Sequence, residues 1–342
     1  MNNNGFQVLD FDSEEAQRLL MFAGRPAPGG VNKRTGQVLI QTERGFTVNS
    51  LLTRDEWVEL DRRVLTAQRP LLRMIADLRS RNLTYDLGSF ASLTSRWYKS
   101  SDVSRPTVNM TGRGSNRDLP DTKRVEVPIP VIFKDFELDM RSLMASRRMG
   151  DGLDTAALTE TTQVIIEESE AMVLGTTTYP NFNGLPLYGI LNHPDRNTFT
   201  ATGDWGTITN VIPTITGGIG VLNGDLFYGP FHMYVSTNQY NEASMSYFGD
   251  NTGETPLDRI LRMPQIAGFS MLPGLPDGTQ IMMQMRDDVI DYAQPRDMQG
   301  VQLREWTTND GLASGFKLMM VGAPRLKSKY DGKMGLLIIT GA

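Results

Sequence analysis

Side chains that commonly carry chemistry are scarce in this chain. Its 342 residues include two histidines, His193 and His232, and no cysteine. Thiolate nucleophiles, thiolate metal sites and disulfides are therefore excluded. His193 sits in "NHPDR", which reads as a turn, and His232 alternates with Met233 and Tyr234 in a strand-like run. Each reads as a structural histidine. No HExxH, GxSxG or GxxxxGK[ST] spacing occurs, so zinc-protease, hydrolase and P-loop chemistry fail at the first step. The run "GGIGVLNG" (Gly217 to Gly224) is glycine-rich but does not match GxGxxG, and "DGLDT" and "LPDGTQ" lack the ligand set of a calcium loop. The methionines of "MMQM" and "LMM" read as flexible core filler. The expectation is a protein that is no enzyme, with no cofactor and no metal.

Charge is the chemistry that remains. Residues 81–124 hold eight Arg/Lys and four Asp/Glu, whereas residues 151–174 hold six Asp/Glu and no Arg or Lys. Two readings stand: separate solvated surfaces, or a basic segment of one subunit lying on an acidic segment of another. The second makes Trp97, Tyr98, Arg113, Arg117 and Arg124 contact residues on one side, and Glu160, Glu167 and Glu170 on the other. The overall net charge of −5 argues against tight sequence-independent binding of nucleic acid over the whole surface.

The elements that must hold these charges are legible in part. "TRDEWVELDRRVL" predicts a helix, with Thr53 and Glu56 as a capping box and Trp57, Leu60 and Val64 as its apolar stripe. Pro70 marks a break before "LLRMIADL", a second short helix. The polar, glycine-punctuated stretch from Asn82 to Arg124 predicts a long hairpin with "TGRGSNRD" at its tip. A hairpin of that kind cannot hold itself in place by burial and needs a partner surface.

Its return leg is "VEVPIPVIFKDFELD", Val125 to Asp139. Period-2 alternation through Phe133 predicts one strand, yet Pro128 and Pro130 cannot donate to a ladder. Both missing donors fall on one edge, so this is an edge strand. The apolar parity changes after Phe133, which predicts that the buried face turns over at Lys134-Asp135.

"DGLDTAALTETTQVIIEESEAMVLG" then gives the strongest helix, residues 154–174, capped by Asp151 or Asp154 and ended by Gly175. Leu158, Thr162, Ile165 and Met172 form its stripe, and Glu160, Glu167 and Glu170 point elsewhere. Residues 198–288 alternate strands ("FHMYVST", "TQIMMQM") with a short helix at "TPLDRILRM". "VQLREWTT", "GFKLMMVGAPRLK" and "MGLLIIT" read as strands returning to the first domain, which makes the layout α+β with an inserted unit. The longest apolar runs are far short of a membrane span, and no secretory signal is visible, so a soluble intracellular protein is expected.

The order of "LLTRDEWVELDRRVL", "VPIPVIFKDFELDMRSL", "YGILNH", "GPFHMYVSTNQY" and "DDVIDYAQPRDMQGVQLRE" resembles the major capsid proteins of tailed bacteriophages. These have the Hong Kong 97-type fold, and the resemblance is to the branch shared with encapsulin shells. It implies an N-terminal arm at 1–50, the helical start of a peripheral domain at 51–80 and an extended loop at 81–124. The peripheral domain with its spine helix would occupy 125–197, the axial domain 198–288, and the peripheral return 289–342. It implies a phage capsid protein that self-assembles through pentamers and hexamers into an icosahedral head enclosing double-stranded DNA. Possible further partners are portal, scaffolding and decoration proteins, with no membrane. The place is the virion, with assembly in the bacterial host cytoplasm. The alternative is an encapsulin-type nanocompartment enclosing a cargo enzyme. Encapsulin shells typically begin near the Thr53 helix, so the added arm favours the capsid. Some phage capsids join subunits through a Lys–Asn bond; Lys99 or Lys123 with Asn309 are conceivable, but no pattern identifies them.

Overall fold

The computed structural model describes residues 39–42, 45–48, 58, 60, 62–64, 73–106, 108–110, 118–139, 141, 144, 148, 156–245, 247–248, 253–307 and 313–342. The early strands are β1 (Leu39–Thr42), β2 (Gly45–Val48), β3 (Thr84–Asp86), β4 (Thr94–Ser100), β5 (Thr122–Pro128) and β6 (Val131–Asp139). After them come β7 (Asn197–Thr200), β8 (Phe231–Val235), β9 (Ile266–Met271), β10 (Thr279–Met283) and β11 (Ile290–Gln294). The last are β12 (Gln302–Thr307), β13 (Ala313–Val321), β14 (Ala323–Leu326) and β15 (Leu336–Thr340). The helices are α1 (Arg73–Ser80), α2 (Ala156–Leu174), α3 (Val211–Gly224), α4 (Thr237–Met245) and α5 (Pro256–Leu261).

The described residues divide into two compact units. One draws on Met1–Leu71, Phe133–Ile165 and Val301–Met319, the other on Leu72–Ile132, Ile166–Gly300 and Met320–Ala342. In the first, β12, β13 and β6 form a three-stranded sheet and β1 pairs with β2. Phe136 stacks on Phe316 at 5.2 Å between centroids. Lys317 lies 4.7 Å over the Phe133 ring and 3.6 Å from Asp135.

The second unit is built on a five-stranded sheet in the order β7-β15-β10-β8-β9. Every residue of β8, and all but one end residue each of β10 and β15, is buried. Burial on both faces is why these strands read as continuous apolar runs. β15 lies at the interior of this sheet, antiparallel to β10 and parallel to β7. The sequence reading instead sent it back to the peripheral domain. That reading failed because an apolar run buried on both faces says nothing of its neighbours. "GGIGVLNG" belongs to α3, where a Cβ on Gly218 would press on Leu337 and Ile339 of β15 at 3.0 and 3.2 Å. Gly217, whose Cβ would meet Phe199 of β7 at 2.6 Å, and Gly218 let the helix approach the sheet, so the run is the interior of a helix and not a phosphate loop. In "TPLD", Thr255 and Asp258 cap the first turn of α5 reciprocally, with Pro256 at its first position.

Val125–Asp139 is two strands and not one. β5 ends at Pro128, opposite Thr94, and β6 opens at Val131. The face turns over there: Val131 and Phe133 are exposed, while Ile132, Phe136 and Leu138 are half-buried. The break at Ile129-Pro130 replaces the predicted slip at Lys134-Asp135, because two prolines in three residues deprive the ladder of donors at that point. Ile129 makes the last bond of the hairpin, its N–H donating to the Leu93 carbonyl at 2.9 Å.

α2 ends at Gly175 as its sequence requires. Gly175 adopts φ +77°, and its N–H bonds the Ala171 carbonyl at 2.8 Å. The proposed caps Asp151 and Asp154 lie outside the described residues, as do Thr53, Glu56 and Trp57. Residues 58, 60 and 62–64 are helical, with Leu60 and Val64 buried. Among the described residues no helix is long and apolar enough to cross a membrane.

Candidate assembly surface

The hairpin β4–β5 pairs from Thr94↔Pro128 to Ser100↔Thr122. Strand alternation gives it two faces with different tasks. Ser95, Trp97 and Lys99 face the body of the second unit. Arg325 is only 3 % exposed; it donates through Nη1 to Ser95 Oγ at 3.0 Å and through Nε to Asp291 Oδ1 at 2.5 Å, with Nη2 on the other carboxylate oxygen. Its guanidinium lies 3.5 Å over the Tyr85 ring and 5.8 Å from that of Trp97. Lys327 completes the group at 2.7 Å from Asp291.

A second fastening holds Lys99. Its Nζ donates to Asp195 Oδ2 at 3.3 Å and to Ser328 Oγ, and Ser328 donates to Asp195 at 2.5 Å. Burial pushes the Asp195 carboxyl up, but the Ser328 hydroxyl and the Lys99 ammonium outweigh it and leave it below its ordinary value. Next to it, His193 Nδ1 accepts the Asp195 N–H at 3.2 Å. Burial first, then Lys99 and Arg196, holds His193 down to about 4, so it stays neutral. His232 is likewise held to about 4 by burial and Arg81. Both histidines are therefore structural parts of the second unit. A cleft of about 430 Å³ opens at the hairpin root, lined by Tyr85, Arg96, Trp97, Asp291, Arg325 and Lys327. Of these charges, Arg96 pairs with Glu126, and Asp291 pairs with Arg325 and Lys327.

The outer face carries Arg96, Tyr98 and Arg124. Tyr98 is 71 % exposed and directly opposite Arg124. Both arginines reach Glu126, at 2.9 and 2.5 Å, and chiefly the Arg124 hydrogen bond holds that carboxyl down to about 2. Beyond the ladder the two legs stay together. Ser101 N–H donates to the Asp121 carbonyl at 2.8 Å, and Ser104 N–H to Asp118 Oδ2 at 2.8 Å. This distal part exposes Val103, Val108, Met110 and Leu119.

The predicted contact residues therefore separate. Tyr98 and Arg124 point outward, with Arg124 held by Glu126, and Arg113 and Arg117 lie outside the described residues. Trp97 is half-buried on the inner face, because it is one residue out of phase with Tyr98. On α2, Glu160, Gln163, Val164 and Glu167 form an exposed stripe at helical spacing. Glu170 does not point outward with them. Four residues after buried Ile166, it lies on the buried face, where its Oε1 accepts the Ile75 N–H at 3.4 Å. Burial raises its pKa to about 7. The Arg325–Asp291–Lys327 and Lys99–Asp195–Ser328 groups escaped the sequence reading. Their one visible signal was the charges of "DYAQ" and "APRLK", set in otherwise apolar strands. Among the described residues no cluster of His, Asp and Glu could hold a metal ion.

A family model described as a family of unknown function, DUF6260, matches residues 47–338. No curated protein matches the sequence significantly. Solved structures do match. A virus-like particle from Pyrococcus furiosus is 13 % identical with a TM-score of 0.56, over 82 % of this chain and 98 % of that one. The capsid of Myoviridae phage XM1 is 12 % identical with a TM-score of 0.59, over 76 % and 89 %. The capsid of a native GTA particle is 10 % identical with a TM-score of 0.58, over 80 % and 92 %. The fold is the Hong Kong 97-type fold of phage capsids, α+β as its sequence implies, and these neighbours are shells and not enzymes.

Proposed function

The chain belongs to DUF6260, a family of unknown function, and we propose that it is a shell-building capsid subunit. In this reading it assembles with copies of itself, through pentamers and hexamers, into an icosahedral phage head around double-stranded DNA. Portal, scaffolding and decoration proteins are candidate partners, and the virion, assembled in the host cytoplasm, is its place. The observation that carries the reading is the fold, which matches capsids and a virus-like particle over three quarters or more of the chain. Residues 1–50 act as an arm and 81–124 as the extended loop. Residues 125–197 hold the spine helix, 198–288 together with β15 form the axial domain, and 51–80 and the remainder of 289–342 supply the rest. A subunit of this kind has no active site; its work is done by many weak contacts repeated over the shell.

Contacts between copies are assigned to the outer face of the hairpin, Tyr98 and Arg124 with Arg113 and Arg117, and to the Glu160–Glu167 stripe of α2. The test is light scattering with negative-stain microscopy on the full chain, alone and with a scaffolding protein from the same genome. Closed particles of uniform size are the expected result, and nuclease-protected double-stranded DNA in particles recovered from the host is the second. Subunits that stay monomeric with and without a scaffold would remove the proposal.

A further inference from the structure

The contacts of the outer face leave Glu170 unexplained. It is only 9 % exposed; its Oε1 accepts the N–H of Ile75, in the first turn of α1, at 3.4 Å, and its Oε2 is buried with no hydrogen-bond partner. First-turn N–H groups lack intrahelical acceptors and favour negative charge. The carboxyl group of one helix thus caps another helix some ninety residues earlier in the chain.

The surroundings oppose that negative charge. From α1, Asp77 faces it with like charge. From β8, Tyr234 lies near it but donates its hydroxyl to Asp77 Oδ2 at 2.9 Å. From β11, Tyr292 interacts with it electrostatically, its own hydroxyl buried without a partner. The cations of α1 and its C-terminal end are engaged elsewhere, Arg73 with the Met271 carbonyl at 3.2 Å, Arg79 with Gln294 at 2.8 Å and Arg81 with His232. Among the described residues no cation pairs with Glu170.

We propose that Glu170 is a proton-operated clamp between α2 and α1. Protonated, it stays buried against the first turn of α1; ionised, it favours parting of the two helices so that the carboxylate reaches water. Burial, offset only in part by the N–H groups of Ile75 and Met74, sets the midpoint of the closed clamp at about 7, against 4.5 for a free carboxyl. α1 leads directly to the hairpin: the Leu83 carbonyl accepts the Tyr292 N–H at 2.9 Å, and β3 follows before β4. One proton therefore bears on how firmly the chain entering the hairpin root is held to α2.

The sign follows from linkage. Because the closed state binds the proton more tightly, opening becomes about tenfold more favourable per pH unit between about 4.5 and about 7. Above that range it levels off, for a total of about 300-fold. The test is hydrogen exchange of the peptide spanning residues 72–83 in the full chain from pH 4 to 8, corrected for intrinsic rates. The wild type should show that rise and plateau, and Glu170→Gln should be flat. Asp77→Asn, which removes the like charge, should bring the plateau to lower pH. A flat profile in the wild type, or an unchanged slope in Glu170→Gln, would overturn the clamp. If Glu170→Gln does not fold, the wild-type and Asp77→Asn profiles still decide it.

Discussion

Asp291 and Arg325 are direct cross-strand neighbours on β11 and β14, and they form a two-point ion pair with both side chains about 95 % buried. A buried pair of this kind positions more than it stabilises, since the desolvation of two charges offsets much of their attraction. What it positions is the hairpin, through the bond from Arg325 to Ser95.

Removing one partner leaves a buried charge short of compensation. Arg325→Met is expected to cost about 3–5 kcal/mol in denaturant unfolding, whereas Arg325→Met with Asp291→Leu should fall within about 1 kcal/mol of wild type. A single substitution costing less than the double one would contradict the pairing.

Lys99 tests the second fastening separately. Lys99→Met leaves Asp195 with the Ser328 hydroxyl alone, so amide exchange in β4 should speed up while that in the five-stranded sheet stays unchanged. Uniform acceleration across both would mean that Lys99 supports the whole unit and not the hairpin root.

Much of this frame was legible from the chain, and the part that was not follows a pattern. Period and caps located α1, α2 and the hairpin, because those elements expose one face and alternate or repeat accordingly. Glu170 was misread because helical spacing places a residue on a face but does not require it to be apolar. β15 was misassigned for the converse reason: four apolar residues in a row, Leu336 to Ile339, carry no periodicity that could point to β7 and β10. The turn at Pro130 was misplaced by four to five residues. The parity of side chains reports where a face has already changed, whereas missing N–H groups decide where it changes.

Three buried groups give the protein a pH dependence of defined sign. Burial lowers His193 and His232 to about 4, so unfolding takes up a proton at each, and their contribution to stability is lost as pH falls from 6.5 towards 4. Glu170, raised to about 7, works the other way and contributes more as pH falls from 7 to 4.5. Between 4.5 and 6.5 the two histidines outnumber it by one proton. Their combined effect lowers stability by about 1.4 kcal/mol per unit as pH falls. Glu170→Gln should double that slope, and replacing both histidines with Gln should reverse it. Chemical denaturation at a series of pH values reads the slope, and an unchanged slope in both variants would show that these groups are not buried as described.

Charge reversal examines the outer faces. Arg113→Glu, Arg117→Glu and Arg124→Glu together are expected to abolish closed particles in sedimentation while leaving the unfolding midpoint of the subunit near wild type. Glu160→Lys with Glu167→Lys should do the same, and the two sets combined should recover part of the lost assembly if the faces meet. Normal particles from either set would exclude that contact.

Gly189 packs against the end of α2. A Cβ there would stand 2.3 Å from Gly175 N and 2.7 Å from the Met172 carbonyl oxygen, both backbone atoms that cannot yield. Gly189→Ala should destabilise by about 3 kcal/mol, and thermal unfolding measures it. A loss under 1 kcal/mol would mean that the end of α2 can move aside.

The position of β15 bears on the timing of synthesis. Its residues, 336–340, lie between β7 and β10, strands translated far earlier. Until they are made, β7 has no partner strand in this sheet and β10 is an open edge beside β8. Arg325, which ties the hairpin root, is also translated late. A chain still being made therefore has neither a continuous five-stranded sheet nor an anchored hairpin. Unpaired strand edges of that kind invite pairing with other chains, so the interval before Leu336–Thr340 is made is when the second unit is most prone to mispairing.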